Sequence, residues 1–121
     1  MVVGAAQVEL HVHASHSLKE KRGAVRSIVR RVRNEFNVAV AEVGGQDTWQ
    51  RAVIGVAATG NDRTWVRGQL RRAIEFIDDM NLAEITDSDV ELLELCYEER
   101  DASDDDGDED EAGDGEPEAE E

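Results

Sequence analysis

Residues 2–22, VVGAAQVELHVHASHSLKEKR, contain a change of period that decides the fold. From Val2 to Val12 the chain alternates, with Val2, Gly4, Ala6, Val8, Leu10 and Val12 on one side and Gln7, Glu9 and His11 on the other. Successive side chains of a strand point to opposite faces, so this period of two predicts a strand with one buried face. After Ser17 the period lengthens. Ser17 and Glu20 have capping-box spacing, in which a hydroxyl and a carboxylate each satisfy a backbone N–H that a helix start leaves unpaired. Leu18, Val25, Val29, Val32 and Phe36, with Ile28 nearby, then recur at helical spacing and predict a helix that ends at about Asn34 or Phe36.

Working outward, VAVAEV (38–43) predicts a short strand, GGQD (44–47) a turn, and WQRAVIGVAAT (49–59) the second strand of the same hairpin. Asn61 or Asp62 is placed to cap a second helix, whose Val66, Leu70, Ala73, Ile74 and Ile77 share one face up to about Met80. A last extended segment lies within EITDSDVELLELCY (84–97), with an interruption expected around DSD. The order strand, helix, strand, strand, helix, strand is the split βαβ pattern. It predicts an α+β, ferredoxin-like βαββαβ fold, a four-stranded antiparallel sheet with two helices on one face and the other face open. Val8, Leu10, Val29, Val32, Ile54, Val56, Leu70 and Ile77 are the expected core.

The charge divides unevenly. The 121 residues sum to -16, but residues 98–121 hold 15 acidic side chains against one basic, which leaves only -2 for residues 1–97. That tail has no large apolar residue to offset the entropy of ordering, so the expected organisation is a folded domain over 1–97 and a disordered acidic tail over 98–121. The tail fits a solubilising appendage, or an electrostatic competitor for a basic surface of the same chain. A single cysteine, Cys96, excludes an intrachain disulfide and a thiolate cluster. The start carries no basic segment of a signal peptide, and no apolar stretch approaches the roughly 20 residues that span a bilayer. A cytoplasmic protein with no membrane association is expected.

ELHVHASHSLKEKR (9–22), RNEFNVAVAEV (33–43) and QDTWQRAVIGVAATGNDR (46–63) resemble the YlxP-like family of small bacterial proteins, a domain of unknown function. The resemblance covers roughly residues 1–97. It implies a ferredoxin-like fold and a bacterial cytoplasmic location. Members are often encoded among transcription and translation factors, which implies work on RNA or the ribosome, and the family brings no catalytic residues. The acidic tail departs from its usual pattern.

Three groups of residues are candidates for function. At about 100° per residue, Lys19, Arg22, Arg26, Arg30 and Arg33 form a stripe beside the apolar arc of the first helix. Between Ser17 and Phe36 seven basic residues face two acidic ones. Such a row can follow a phosphate backbone, whereas its plain alternative is a solvated helix face. In the second helix Arg67 and Arg71 are offset by Glu75 and Asp78. His11 and His13, two apart on a strand, are a minority candidate for zinc with Glu9 or Asp47, although a site needs three or four converging ligands. Trp49 and Trp65 fit packing at the core or its rim better than base stacking, because the first strand has no aromatic residue.

Enzyme motifs are absent: VGGQDTW lacks the lysine and helix start of a phosphate loop, and Cys96 has no nucleophile context. No cofactor is implied. The expectation is a non-enzymatic RNA- or ribosome-associated factor contacting phosphate through the first helix. The alternative is a self-associating structural or regulatory module that pairs through its open sheet face or an edge strand, without nucleic acid.

Overall fold

The computed structural model describes residues 1–96. The expected tail, 98–121, lies outside them. Six elements follow in order: β1 (Val2–His11), α1 (Leu18–Glu35), β2 (Ala39–Gly44), β3 (Arg51–Gly60), α2 (Arg63–Asp79) and β4 (Glu84–Glu94). The strands form one sheet in the order β2-β3-β1-β4, with every neighbouring pair antiparallel. The topology is the ferredoxin-like one, and the first strand lies inside the sheet.

The alternation of β1 sorts the two faces. Val2, Ala6, Val8 and Leu10 are buried with Ala52, Ile54 and Val56 of β3, under Val25, Ile28 and Val32 of α1 and Val66, Leu70 and Ile77 of α2. Fully burying one such aliphatic side chain contributes about 1.5–3 kcal/mol relative to leaving it in water, so this single layer holds the domain together. Val29, expected in the core, is only partly buried at its margin. At Gly4 a Cβ would stand 2.7 Å from both Leu70 Cδ1 and Val66 Cγ1. Glycine there is what lets α2 cross close to β1.

The caps stop and start the helices where the polar residues fall. Ser17 Oγ accepts the Glu20 N–H at 3.2 Å, and Glu20 Oε1 accepts the His16 N–H at 2.7 Å, one residue earlier than in the standard capping box. Asp62 Oδ2 accepts the Trp65 N–H at 2.9 Å. Two strands carry an extra residue. Glu9 faces Asp87 and Leu10 faces Ile85, which leaves Thr86 over, just before the DSD run where the interruption was expected. Glu42 faces Ile54 and Gly44 faces Val53, which leaves Val43 over. Both sheet edges are thereby bent. At one end, the Leu95 N–H donates to Met1 O at 2.8 Å and the Met1 ammonium donates to Leu95 O at 2.9 Å, adding a rung beyond β4.

Candidate nucleic-acid interface

The capping residues fix the start of α1, and its apolar row, Val25, Ile28 and Val32, fixes its rotation against the sheet. That rotation turns Lys19, Arg22, Arg26, Arg30 and Arg33 outward, and all five are exposed. At 1.5 Å per residue the row runs about 21 Å along the helix. Among the described residues, Lys19, Arg22, Arg26 and Arg30 have no carboxylate within 4.0 Å. Arg33 differs from the others. Its Nη2 donates to the Val40 carbonyl at 3.1 Å, which ties the end of the row to the edge strand β2. The row therefore consists of four unpaired cations and one that is partly used.

One basic residue of this helix is not on the surface. Lys21 is fully buried, and its Nζ donates to Glu42 Oε2 at 3.0 Å, to Gly45 O at 2.8 Å and to Arg51 O at 3.4 Å. An ammonium has three protons and here finds three acceptors, so it is satisfied without water. It clamps the first turn of α1 onto the β2–β3 turn, where Gly45 takes a positive φ of 73°. Buried Ser15 secures the adjoining loop: its hydroxyl donates to Ser17 O at 2.9 Å and its carbonyl accepts from Gln50 Nε2 at 3.2 Å. Seven basic residues on α1 thus overstate its surface charge by one. The helical wheel carried the signal, because Lys21, Val25, Ile28 and Val32 lie at i, i+4, i+7 and i+11.

The other candidates separate. His11 and His13 stack with ring centroids 4.1 Å apart and planes 9° from parallel. His13 pairs with Glu84, and Glu9, the suggested carboxylate ligand, pairs with Arg51. Among the described residues no three His, Cys, Asp or Glu side chains are grouped to hold a metal ion. Trp49 and Trp65 are about half exposed, and Trp65 lies across Gly60, where a Cβ would meet its ring at 3.2 Å. That is rim packing. Among the described residues no helix is long and apolar enough to cross a membrane.

Fold and surface together define a small ferredoxin-like protein with one strongly basic helix and a sheet face that none of the described residues covers. Residues 3–90 match the family described as "Protein of unknown function (DUF503)", and the chain belongs to that family. It is also 43% identical over 77 residues to the uncharacterized protein YlxP of Bacillus subtilis (strain 168), a match that spans 64% of this chain and 84% of that protein.

Proposed function

We propose that this protein is a non-enzymatic, cytoplasmic RNA- or ribosome-associated factor that holds phosphate backbone along α1. The observation that supports this is the row Lys19, Arg22, Arg26 and Arg30, exposed and without a carboxylate partner among the described residues. Like charges aligned along a helix disfavour it, and an external polyanion relieves that repulsion. Arginine adds two parallel N–H donors per phosphate, which suits it to this contact better than lysine.

The test is binding of structured RNA and of ribosomal subunits across a salt series. Each neutralised phosphate releases condensed counterion, so log affinity should fall linearly with log salt concentration. Replacing Arg26 and Arg30 with glutamate should flatten the slope by about 1.5–2 and weaken binding alike for all sequences, since backbone contacts do not read bases. Removing residues 98–121, with their balance of -14, should strengthen binding by taking away tethered competing carboxylates. A truncated protein with no salt-dependent affinity, or a double variant indistinguishable from the parent, refutes the reading. Self-association is the second reading, supported by the edge strands β2 and β4, whose outer sides pair with no strand among the described residues. Ultracentrifugation that shows only a 13.4 kDa species at micromolar concentration rejects it.

A further inference from the structure

The sheet face opposite the helices has a shape and a charge pattern that phosphate binding does not use. Its floor is made mostly of the smallest side chains, Ala5 of β1, Ala41 of β2 and Gly55 and Ala57 of β3, with Gln7 of β1 standing between Gly55 and Asp89, in a trough of about 560 Å³. On the β2 side the bulged Val43 rises over Gly55, where a Cβ would come within 2.9 Å of it. On the β4 side the border is acidic. Strand parity puts Asp87, Asp89 and Glu91 on this face, opposite Glu9, Gln7 and Ala5. Two neighbouring acids, Glu9 of β1 and Glu84 at the start of β4, are paired with Arg51 and His13. Among the described residues, Asp87, Asp89 and Glu91 have no basic group within 4.0 Å.

We propose that this face is the docking site of a basic amphipathic helix from a partner protein. From β2 to β4 the sheet is three strand spacings wide, about 14 Å, and a helix with its side chains is about 10–12 Å across. A floor of alanine and glycine lets a helix backbone approach closely beside Gln7, Val43 supplies an apolar side, and Leu93, beyond Glu91 on β4, extends the apolar surface past the trough; both are more than half exposed. The carboxylates at 87, 89 and 91 recur every two strand residues, about 6.6–7 Å, while positions i, i+4 and i+8 of a helix recur about every 6 Å. A helix lying along β4 can therefore set a lysine or arginine against each, with small apolar residues on the floor. RNA and the acidic tail are repelled by the same border. A second copy fits poorly: the apolar rows of its helices are already in its core, and two β4 borders brought together repel. The proposal stands apart from phosphate binding on α1, which lies on the other face.

The experiment titrates the full chain with two synthetic peptides of 18 residues. One has an Ala/Leu stripe flanked by lysines at i, i+4 and i+8, and the control has the same composition with the lysines spread around the helix. Backbone amide NMR is expected to show shifts at Ala5, Ala41, Val43, Gly55 and Ala57 with the first peptide. Binding should weaken about tenfold with the control, and about tenfold for Asp89→Lys/Glu91→Lys. Both positions are exposed, and circular dichroism checks the fold; should the reversal unfold the protein, Asp89→Asn/Glu91→Gln carries the test with an expected loss of about fivefold. Equal binding of both peptides, shifts confined to residues 97–121, unchanged affinity in the variants, or sedimentation that shows a second copy on this face each overturns the proposal.

Discussion

Lys21→Met should be among the most damaging single substitutions in the domain. Methionine keeps most of the buried stem and removes only the ammonium, so the loss comes from the polar contacts. Glu42 loses its partner at 3.0 Å, and the carbonyls of Gly45 and Arg51 lose a donor. Removing one member of a buried ion pair costs about 3–5 kcal/mol because the other charge is left uncompensated. The Glu42 side chain keeps 19% of its exposure and can draw partly on solvent, which puts the expected loss near the lower end, about 3 kcal/mol. For a domain of this size each kcal/mol moves the melting midpoint by about 4–8 °C, so a fall of about 12–24 °C is expected. Urea denaturation and thermal circular dichroism measure both quantities. Glu42→Gln should cost less, since its amide oxygen still accepts from Lys21, and a double-mutant cycle of Lys21→Met with Glu42→Leu should give a coupling above about 1 kcal/mol. A Lys21→Met protein within 1 kcal/mol of the parent, or a cycle that is additive, would refute the view that this ammonium anchors the β2–β3 turn.

Two glycine substitutions should move stability in opposite directions. Gly23→Ala lies on the exposed side of α1 with nothing within 4 Å of the added methyl, so it should stabilise by about 0.5–1 kcal/mol in urea titration and leave RNA affinity unchanged. Gly4→Ala would drive its methyl against Leu70, Val66 and Leu92 at 2.7–2.8 Å, and a loss of about 1–3 kcal/mol is expected, read as a lower urea midpoint at constant slope.

The order of elements was legible because β1 and α1 differ in period within one short stretch, and because Ser17 and Asp62 are strong caps. The sheet face of each β1 residue followed from parity alone. What the sequence concealed lies where local rules are overridden by tertiary partners. Lys21 is written as one more cation in a basic run, and only the position of Glu42 on a strand facing α1, with two turn carbonyls above it, explains why it is inside. Arg33 belonged to the stripe by its angle, yet the neighbouring edge strand holds it. The extra residue at Val43 has no composition signal, since a bulge is fixed by pairing with the adjacent strand, whereas the one at Thr86 was announced by the polar DSD run beside it. Helix spacing placed the cation row correctly, but spacing could not show which members lack partners.

The position of β1 also has a kinetic consequence. Of the sheet's four strands it is made first, and it sits in the middle, with Val2 paired to Gly60 on one side and to Glu94 on the other. The β2–β3 hairpin can close locally, whereas β1 must wait for partners 40–58 and 73–92 residues downstream. Closing such long loops before any contact is gained slows folding, and mixed α/β domains of this kind fold more slowly than helical bundles. A chain arrested before Glu84 leaves β1 with a bare edge and the part of α2 that packs on β4 uncovered, a surface prone to association with other nascent chains. Arrested chains released at that length should sediment as aggregates or bind chaperones, while those extended past Leu95 should not. The safety of the new molecule in a crowded cell thus depends on the last of these four strands to be synthesised.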